Sequence, residues 1–287
     1  MTLLEAVRAG SARLDQAGVS FGHGTANAFD EAAWLALAAL GLPLDALDPH
    51  AARVLDAKER AAIEALIARR IETRQPAAYL TGEAWLQGVP FRVDERVIVP
   101  RSLIAEVIAE GGIDPWLPPH TRRVLDLCTG NGSLAVLAAL AWPQVTVDAA
   151  DVSPDALAVA RLNVERHHLD DRITLLQGDL LANVRGPYDL ILCNPPYVNA
   201  ASMATLPPEY RAEPALALAG GTDGMDLVRR IVRDAPRAMS DAAVLVLEIG
   251  HERTHFEAAF PRLEVVWLPT SAGDDQVLLV TREALRQ

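Results

Sequence analysis

From Arg122 onward, short apolar runs alternate with helical stretches, and this alternation limits the possible folds more than any other feature of the chain. Val124 to Cys128, Val145 to Ala150, Ile173 to Leu176, Asp189 to Cys193, Val244 to Ile249, Leu263 to Leu268 and Val277 to Thr281 are β-branched or aliphatic runs of strand length. Ser133 to Ala141, Pro154 to His167 and Asp226 to Met239 carry helical spacing between them. Such a succession builds an α/β fold, a doubly wound parallel sheet with helices on both faces. The last two runs follow one another without room for a crossover helix, so one of them is expected to run antiparallel.

The chain upstream has a different texture. Phe29, Ala33, Leu37 and Leu40 share one helical face, ended by Gly41 and Pro43, and Ile63, Leu66, Ile67 and Ile71 share another. Asp56 followed three residues later by Glu59 reads as a capping box that opens the second of these helices. Residues 1–75 are therefore expected to form a small helical domain. Residues 76–100 shorten to strand-like pieces around Gln87-Gly88, a hairpin connector, and residues 101–287 form the α/β domain.

Two domains suit 287 residues, and 51% hydrophobic residues suffice for two cores. The apolar run from Leu134 to Trp142 falls far short of the roughly 20 residues a membrane helix needs, so a soluble, cytoplasmic protein with no membrane partner is expected. Two cysteines, Cys128 and Cys193, make no disulfide framework, and no paired Cys motif has zinc-ligand spacing. With 26 Lys+Arg against 38 Asp+Glu, the formal charge is −12. That sign argues against an extended nucleic-acid-binding surface and favours a basic or neutral partner.

Chemistry-bearing motifs fall where successive strands end. The first strand runs into Asp126-Leu127-Cys128-Thr129-Gly130-Asn131-Gly132-Ser133, whose glycines permit a tight turn and close approach of a ligand, with the amides of the next helix aimed at it. Ala135 stands where a dinucleotide fingerprint has its third glycine, which weakens a nicotinamide reading. Asp151 ends the second strand, suitably placed to accept both hydroxyls of a ribose, and Asp179-Leu180 follows the third, with Asp179 in reach of an adenine amino group. Either aspartate alone reads equally well as a cap or turn residue. The series at successive strand ends is what points to an adenosine.

The fourth strand ends in Asn194-Pro195-Pro196-Tyr197. An amide nitrogen shares its lone pair with the carbonyl and is a poor nucleophile. The Asn194 side-chain oxygen and the Pro195 carbonyl supply two acceptors for its N–H groups, the prolines stiffen the loop, and Tyr197 offers a face to a flat group.

This Asn-Pro-Pro-Tyr segment, with the glycine loop upstream, resembles the S-adenosylmethionine-dependent methyltransferases that act on planar amino or amide nitrogens. The resemblance is closer to the protein-(glutamine-N5) methyltransferases and covers nearly the whole chain. Val99-Pro100-Arg101-Ser102 with Glu106, Asn194 to Val198, Leu206 to Pro214 and Gly220 to Arg230 match the branch that modifies a large-subunit ribosomal protein. The release-factor branch has Arg-Pro-x-Thr-Glu where this chain has Arg101-Ser102-Leu103-Ile104-Ala105. The resemblance implies a seven-stranded methyltransferase sheet of order 3-2-1-4-5-7-6, substrate recognition by residues 1–75, and S-adenosylmethionine held by Asp126, Thr129, Gly130, Asn131, Gly132, Asp151, Asp179, Leu180 and Asn194. It further implies catalysis by Asn194, Pro195, Pro196 and Tyr197, and substrate contacts from Arg101, Asn194 and Tyr197. A basic ribosomal protein is the expected partner. The alternatives are a release factor or, with neither the basic groove nor the recognition module it needs, DNA adenine.

One motif points elsewhere. His251-Glu252-Arg253-Thr254-His255 is a literal H-E-x-x-H, the zinc pair and general base of a metalloprotease. Gly250 directly before it predicts the first turn of a helix rather than its interior, and no further motif nominates a third ligand, so no metal is expected. His167-His168 reads as a solvated helix end, and His23, between two glycines, as a loop residue.

Overall fold

The computed structural model describes residues 1–287. Three long helices lead the chain: α1 (Leu3–Gln16), α2 (Ala28–Ala39) and, after the short α3 (Leu47–His50), α4 (Ala57–Thr73). The capping box at Asp56 is present: its carboxylate accepts the Glu59 amide at 2.8 Å and the Glu59 carboxylate accepts the Asp56 amide at 3.1 Å. Leu37, Ile63 and Ile67 are buried as the helical spacing requires, but Phe29 is 38% exposed. From Glu31 to Leu37 every residue of α2 is buried, so the helix is enclosed on all sides there and Phe29, in its first turn, lies outside that packing.

The short α5 (Ala77–Thr81) leads into the antiparallel hairpin of β1 (Glu83–Leu86) and β2 (Val89–Arg92). Gln87 and Gly88 both have positive φ, 50° and 75°, as a two-residue hairpin turn demands. This hairpin does more than connect. The buried Asn163 side chain accepts from the Arg92 N–H at 2.7 Å and donates to the Arg92 and Asn131 carbonyls, joining the hairpin to the glycine loop.

After α6 (Ile104–Ala109) the sheet begins with β3 (Arg123–Leu127), followed by α7 (Ser133–Ala141), β4 (Thr146–Asp151), α8 (Pro154–Arg166), β5 (Ile173–Gln177) and β6 (Tyr188–Cys193). Beyond β6 come α9 (Ala200–Thr205), α10 (Asp226–Asp234), β7 (Met239–Glu248), α11 (Arg253–Ala259), β8 (Val266–Thr270), β9 (Gly273–Thr281) and α12 (Arg282–Leu285). The strand order is β5-β4-β3-β6-β7-β9-β8, which is 3-2-1-4-5-7-6 counted within the sheet. The first five strands are parallel and β9 runs antiparallel between β7 and β8. One core packs α6 and α7 on one face, another packs α10 and α11 on the other, and a third joins the helical domain to Ala156 and Val159 of α8.

Several element ends differ from the sequence reading, β7 and β9 beginning ahead of Val244 and Val277. The helix expected over Asp226 to Met239 ends at Asp234, because Pro236 has no N–H to continue it, and β7 has already begun at Met239. The strand expected from Leu263 begins at Val266, since a turn holds the Leu263 N–H on the Phe260 carbonyl.

Candidate active site

The C-terminal ends of β3, β4, β5 and β6 open onto a cavity of about 340 Å³. Cys128, Gly130, Asp151, Leu180, Asn194 and Pro196 are on its wall, so groups from four strand ends converge as the motif series suggested. Asp151 is pinned: its Oδ2 accepts the Gly130 N–H and its Oδ1 the Ser153 N–H, each at 2.9 Å. Burial raises its carboxyl above the ordinary range. Each oxygen keeps a lone pair beyond these bonds, which suits a carboxylate that receives two hydroxyls.

Four residues expected at the cofactor stand behind the loop instead of on the cavity wall. Asp126 is fully buried, and its Oδ2 accepts the Thr129 hydroxyl at 2.5 Å and the Ala135 N–H at 3.0 Å. The Asn131 Oδ1 accepts the Ser133 N–H at 3.2 Å. These bonds consume two amides of the first turn of α7, so the helix start is largely capped from within and not aimed at a ligand; buried amides need acceptors, and the loop supplies them. Gly132, at φ 80°, lies against α8, where an added Cβ would approach the Ala160 Cβ to 3.2 Å. Burial pushes the Asp126 carboxyl up to about 7.

Asp179 is on the wall, but its Oδ2 accepts Arg230 Nη2 at 2.7 Å, so that guanidinium is its first partner and an adenine amino group would share it. Leu180, at φ 50°, adds apolar surface beside the exposed Val152.

The Asn194 loop divides in two. Asn194 is half-buried, lines the cavity and enters no side-chain hydrogen bond within the protein. Pro195 and Pro196 are buried, and only Pro196 reaches the wall. Tyr197 is not on the wall: its hydroxyl donates to Glu248 Oε1 at 3.3 Å, and its ring lies on Gly250, where a Cβ would meet Cε2 at 2.5 Å. Glu248, also buried, accepts the Ser102 hydroxyl at 2.5 Å and the Leu103 N–H at 2.9 Å through Oε2. The ring side resting on Gly250 is closed to a substrate.

Arg101 is likewise engaged within the protein. Its Nη1 and Nη2 donate to Glu213 Oε1 and Oε2 at 2.7 and 2.8 Å. Burial pushes the Glu213 carboxyl up, but His23, whose Nε2 lies 3.5 Å away, and the Arg101 fork outweigh it and hold the group at about 2. His23 is in a loop as expected, but it is buried there: it is 1% exposed, with its ring tilted 53° against Tyr210 at a centroid distance of 4.3 Å. His167 is also not simply solvated, since its Nε2 lies 2.9 Å from the Pro90 carbonyl; His168 is exposed at the αL position after the helix. The H-E-x-x-H segment straddles a helix start, with His251 and Glu252 ahead of α11 and the Glu252 carboxylate held by Asn199 at 2.6 Å and His255 at 2.5 Å.

The wall also includes residues the motifs did not nominate: Arg96, Val97 and Ile98 from the connector, and Pro214, Leu216 and Ala217 from the segment after the Asn194 loop. They belong to no glycine loop or strand-end pattern. The sequence carried no signal for them, since the 62% exposure of Leu216 is visible only in the structure.

Sheet order, strand-end cavity and an Asn-Pro-Pro-Tyr loop together define an S-adenosylmethionine-dependent methyltransferase. Residues 113–206 match the family model Methyltransferase small domain, and residues 5–82 match PrmC N-terminal domain. The fold is also that of the hMettl16 catalytic domain in complex with MAT2A 3'UTR hairpin 6, with a TM-score of 0.53 at 15% identity over 77% of this chain and 80% of that one. Similarity in sequence is far higher to proteins named ribosomal protein uL3 glutamine methyltransferase. That of Bordetella pertussis is 59% identical over 99% of this chain and 96% of its own length, that of Burkholderia pseudomallei 54% over 97% and 94%, and that of Neisseria meningitidis serogroup B 48% over 99% and 94%. The chain belongs to the family of ribosomal protein uL3 glutamine methyltransferases.

Proposed function

We propose that this protein methylates the side-chain amide nitrogen of a glutamine in ribosomal protein uL3, in the cytoplasm, with residues 1–75 recognising the substrate. The observation that carries this reading is Asn194: an amide without an intramolecular partner, on the wall of the cavity that also holds Asp151. The residues present fit S-adenosylmethionine, because a pinned carboxylate stands beside the apolar surface of Val152 and Leu180 in a cavity at the strand ends. Asp151 would hold the ribose, Gly130 would border the amino-acid portion, and Leu180 with Asp179 would border the adenine. The bound cofactor supplies an electrophilic methyl group on a sulfonium.

The rest is the work of this chain. The Asn194 Oδ1 accepts an N–H of the substrate amide, which orients the nitrogen and favours positive charge on it as the N–C bond forms. The Tyr197–Glu248 bond and the close fit of Tyr197 on Gly250 keep that loop in place. No strong base is needed, since the alkylated nitrogen is acidic and its proton leaves to water. The formal charge of −12 favours encounter with a basic protein such as a ribosomal one, and gives no support to an extended nucleic-acid surface.

Labelled S-adenosylmethionine, offered with purified uL3 and separately with a release factor, tests the assignment. Label on a glutamine of uL3, acquired faster than any on the release factor, is expected. Absence of label from uL3 would overturn it.

A further inference from the structure

Between the Asn194 loop and α10 the chain makes an excursion over residues 198–219. It is closed at its base, where the Val198 N–H donates to the Leu218 carbonyl and the Gly220 N–H to the Val198 carbonyl, both at 2.9 Å, one residue beyond Tyr197. At its far end two carboxylates four residues apart, Glu209 and Glu213, are 0% and 5% exposed. Glu209 Oε1 accepts the Ser20 N–H at 3.2 Å and lies 3.4 Å from Nη1 of both Arg70 and Arg74, all in the helical domain. Glu213 takes the Arg101 fork, the Val99 N–H at 2.9 Å, and His23 at 3.5 Å. Directly after Glu213, the returning leg puts Pro214, Leu216 and Ala217 on the wall shared with Asn194 and Pro196.

A buried carboxylate is costly unless it is paired and hydrogen-bonded. Closing a surface excursion requires none, yet this one inserts two, and both reach elements far from the sheet. We propose that residues 198–219 are a positioning strap. Glu209 and Glu213 tie it to the helical domain and the connector, and through that tie they set the Pro214–Ala217 wall against which the substrate amide is oriented toward Asn194. The helical domain is thereby coupled to the reacting end of the cavity, and Glu209 and Glu213 are positioning residues for methyl transfer. This inference rests on the glutamine-methylating function proposed above.

Glu213→Gln and Glu209→Gln in the full-length protein test it, assayed with uL3 well below the melting temperature of each variant. At saturating uL3 and S-adenosylmethionine, turnover is expected to fall roughly 10–100-fold, the scale of a small misplacement of reacting groups, and saturation removes any change in the affinity of either ligand from the readout. A clamp with only a structural role would lower the melting temperature and leave saturated turnover at the wild-type value, which would overturn the proposal. Should the glutamine variants fail to fold, Arg101→Lys decides: it keeps the charge but loses the paired fork, and an intermediate turnover is expected, whereas wild-type turnover would sink the strap. Wild-type protein that leaves uL3 unlabelled would refute the substrate assignment instead, a separate result.

Discussion

Asp151 and Gly130 are joined by a hydrogen bond of 2.9 Å from the Gly130 N–H to the Asp151 Oδ2, so the end of β4 and the loop after β3 form one unit at the cavity. The carboxylate proposed to hold the ribose also fixes the loop beside it.

Asp151→Ala therefore has two effects. Cofactor binding is expected to weaken by about 1.5–3 kcal/mol for each charged hydrogen bond lost, and the melting temperature to fall as the Gly130 and Ser153 amides lose their acceptor. Asp151→Asn keeps one of the two acceptor oxygens and should lose less of both. Calorimetric titration with S-adenosylmethionine checks this, and unchanged affinity in Asp151→Ala would remove the residue from the site.

Asn194 gives the opposite separation. With no intramolecular partner to lose, Asn194→Ala should keep its melting temperature and nearly all its cofactor affinity while turnover falls about 10²–10³-fold. Asn194→Asp retains an acceptor and should keep more activity than Ala. Full activity in Asn194→Ala would sink the mechanism, and a joint loss of stability in both variants would make the residue structural.

Asp126 imposes a pH dependence on stability. Burial pushes its carboxyl up to about 7, above the roughly 3.9 of an unfolded chain, so the native state favours the protonated form. This contribution is complete below pH ~4 and is lost as pH rises through about 7, because ionising the buried group then opposes folding. Denaturant unfolding at pH 5 and pH 8 should show a fall in wild-type stability that Asp126→Asn reduces. Equal pH dependence in the two proteins would rule the group out.

Arg70 is completely buried, with Nε donating to Glu31 Oε1 at 2.7 Å and Nη2 to the Ser20 carbonyl at 2.9 Å. Arg70→Ala would leave the buried Glu31 without its guanidinium and Glu209 with Arg74 alone. The expected cost is about 3–5 kcal/mol, read from denaturant midpoints. A loss below ~1 kcal/mol, the ordinary range of a surface pair, would mean that water reaches the cluster.

Metal dependence follows from the H-E-x-x-H segment. No group of three or more His, Cys, Asp or Glu is arranged to hold a metal ion, and Glu252 is committed to Asn199 and His255. Elemental analysis should find no stoichiometric zinc, and a chelator should leave methylation intact. Activity lost to the chelator and restored by zinc would reverse this.

The alternation from Arg122 onward, the Asp56 capping box and the placement of Asp151 and Asn194 at strand ends were all legible in the chain, because each depends on periodicity or on neighbours a few residues away. Helix ends were less so: the Asp226 helix reads on to Met239 until the position of Pro236 is weighed against it. What local patterns could not tell was which polar side chains face the cavity. Asp126 and Asp151 look alike in sequence, yet one caps the loop from behind and the other lines the wall. Arg101 looks like a free cation until Glu213, 112 residues further on, takes both of its terminal nitrogens. His23 is the loop residue it looks like, yet Tyr210 buries it. Strand and helix arise from short-range backbone geometry, which the sequence by itself determines. Burial and pairing of a charge arise from groups distant along the chain, and only the tertiary structure brings those together.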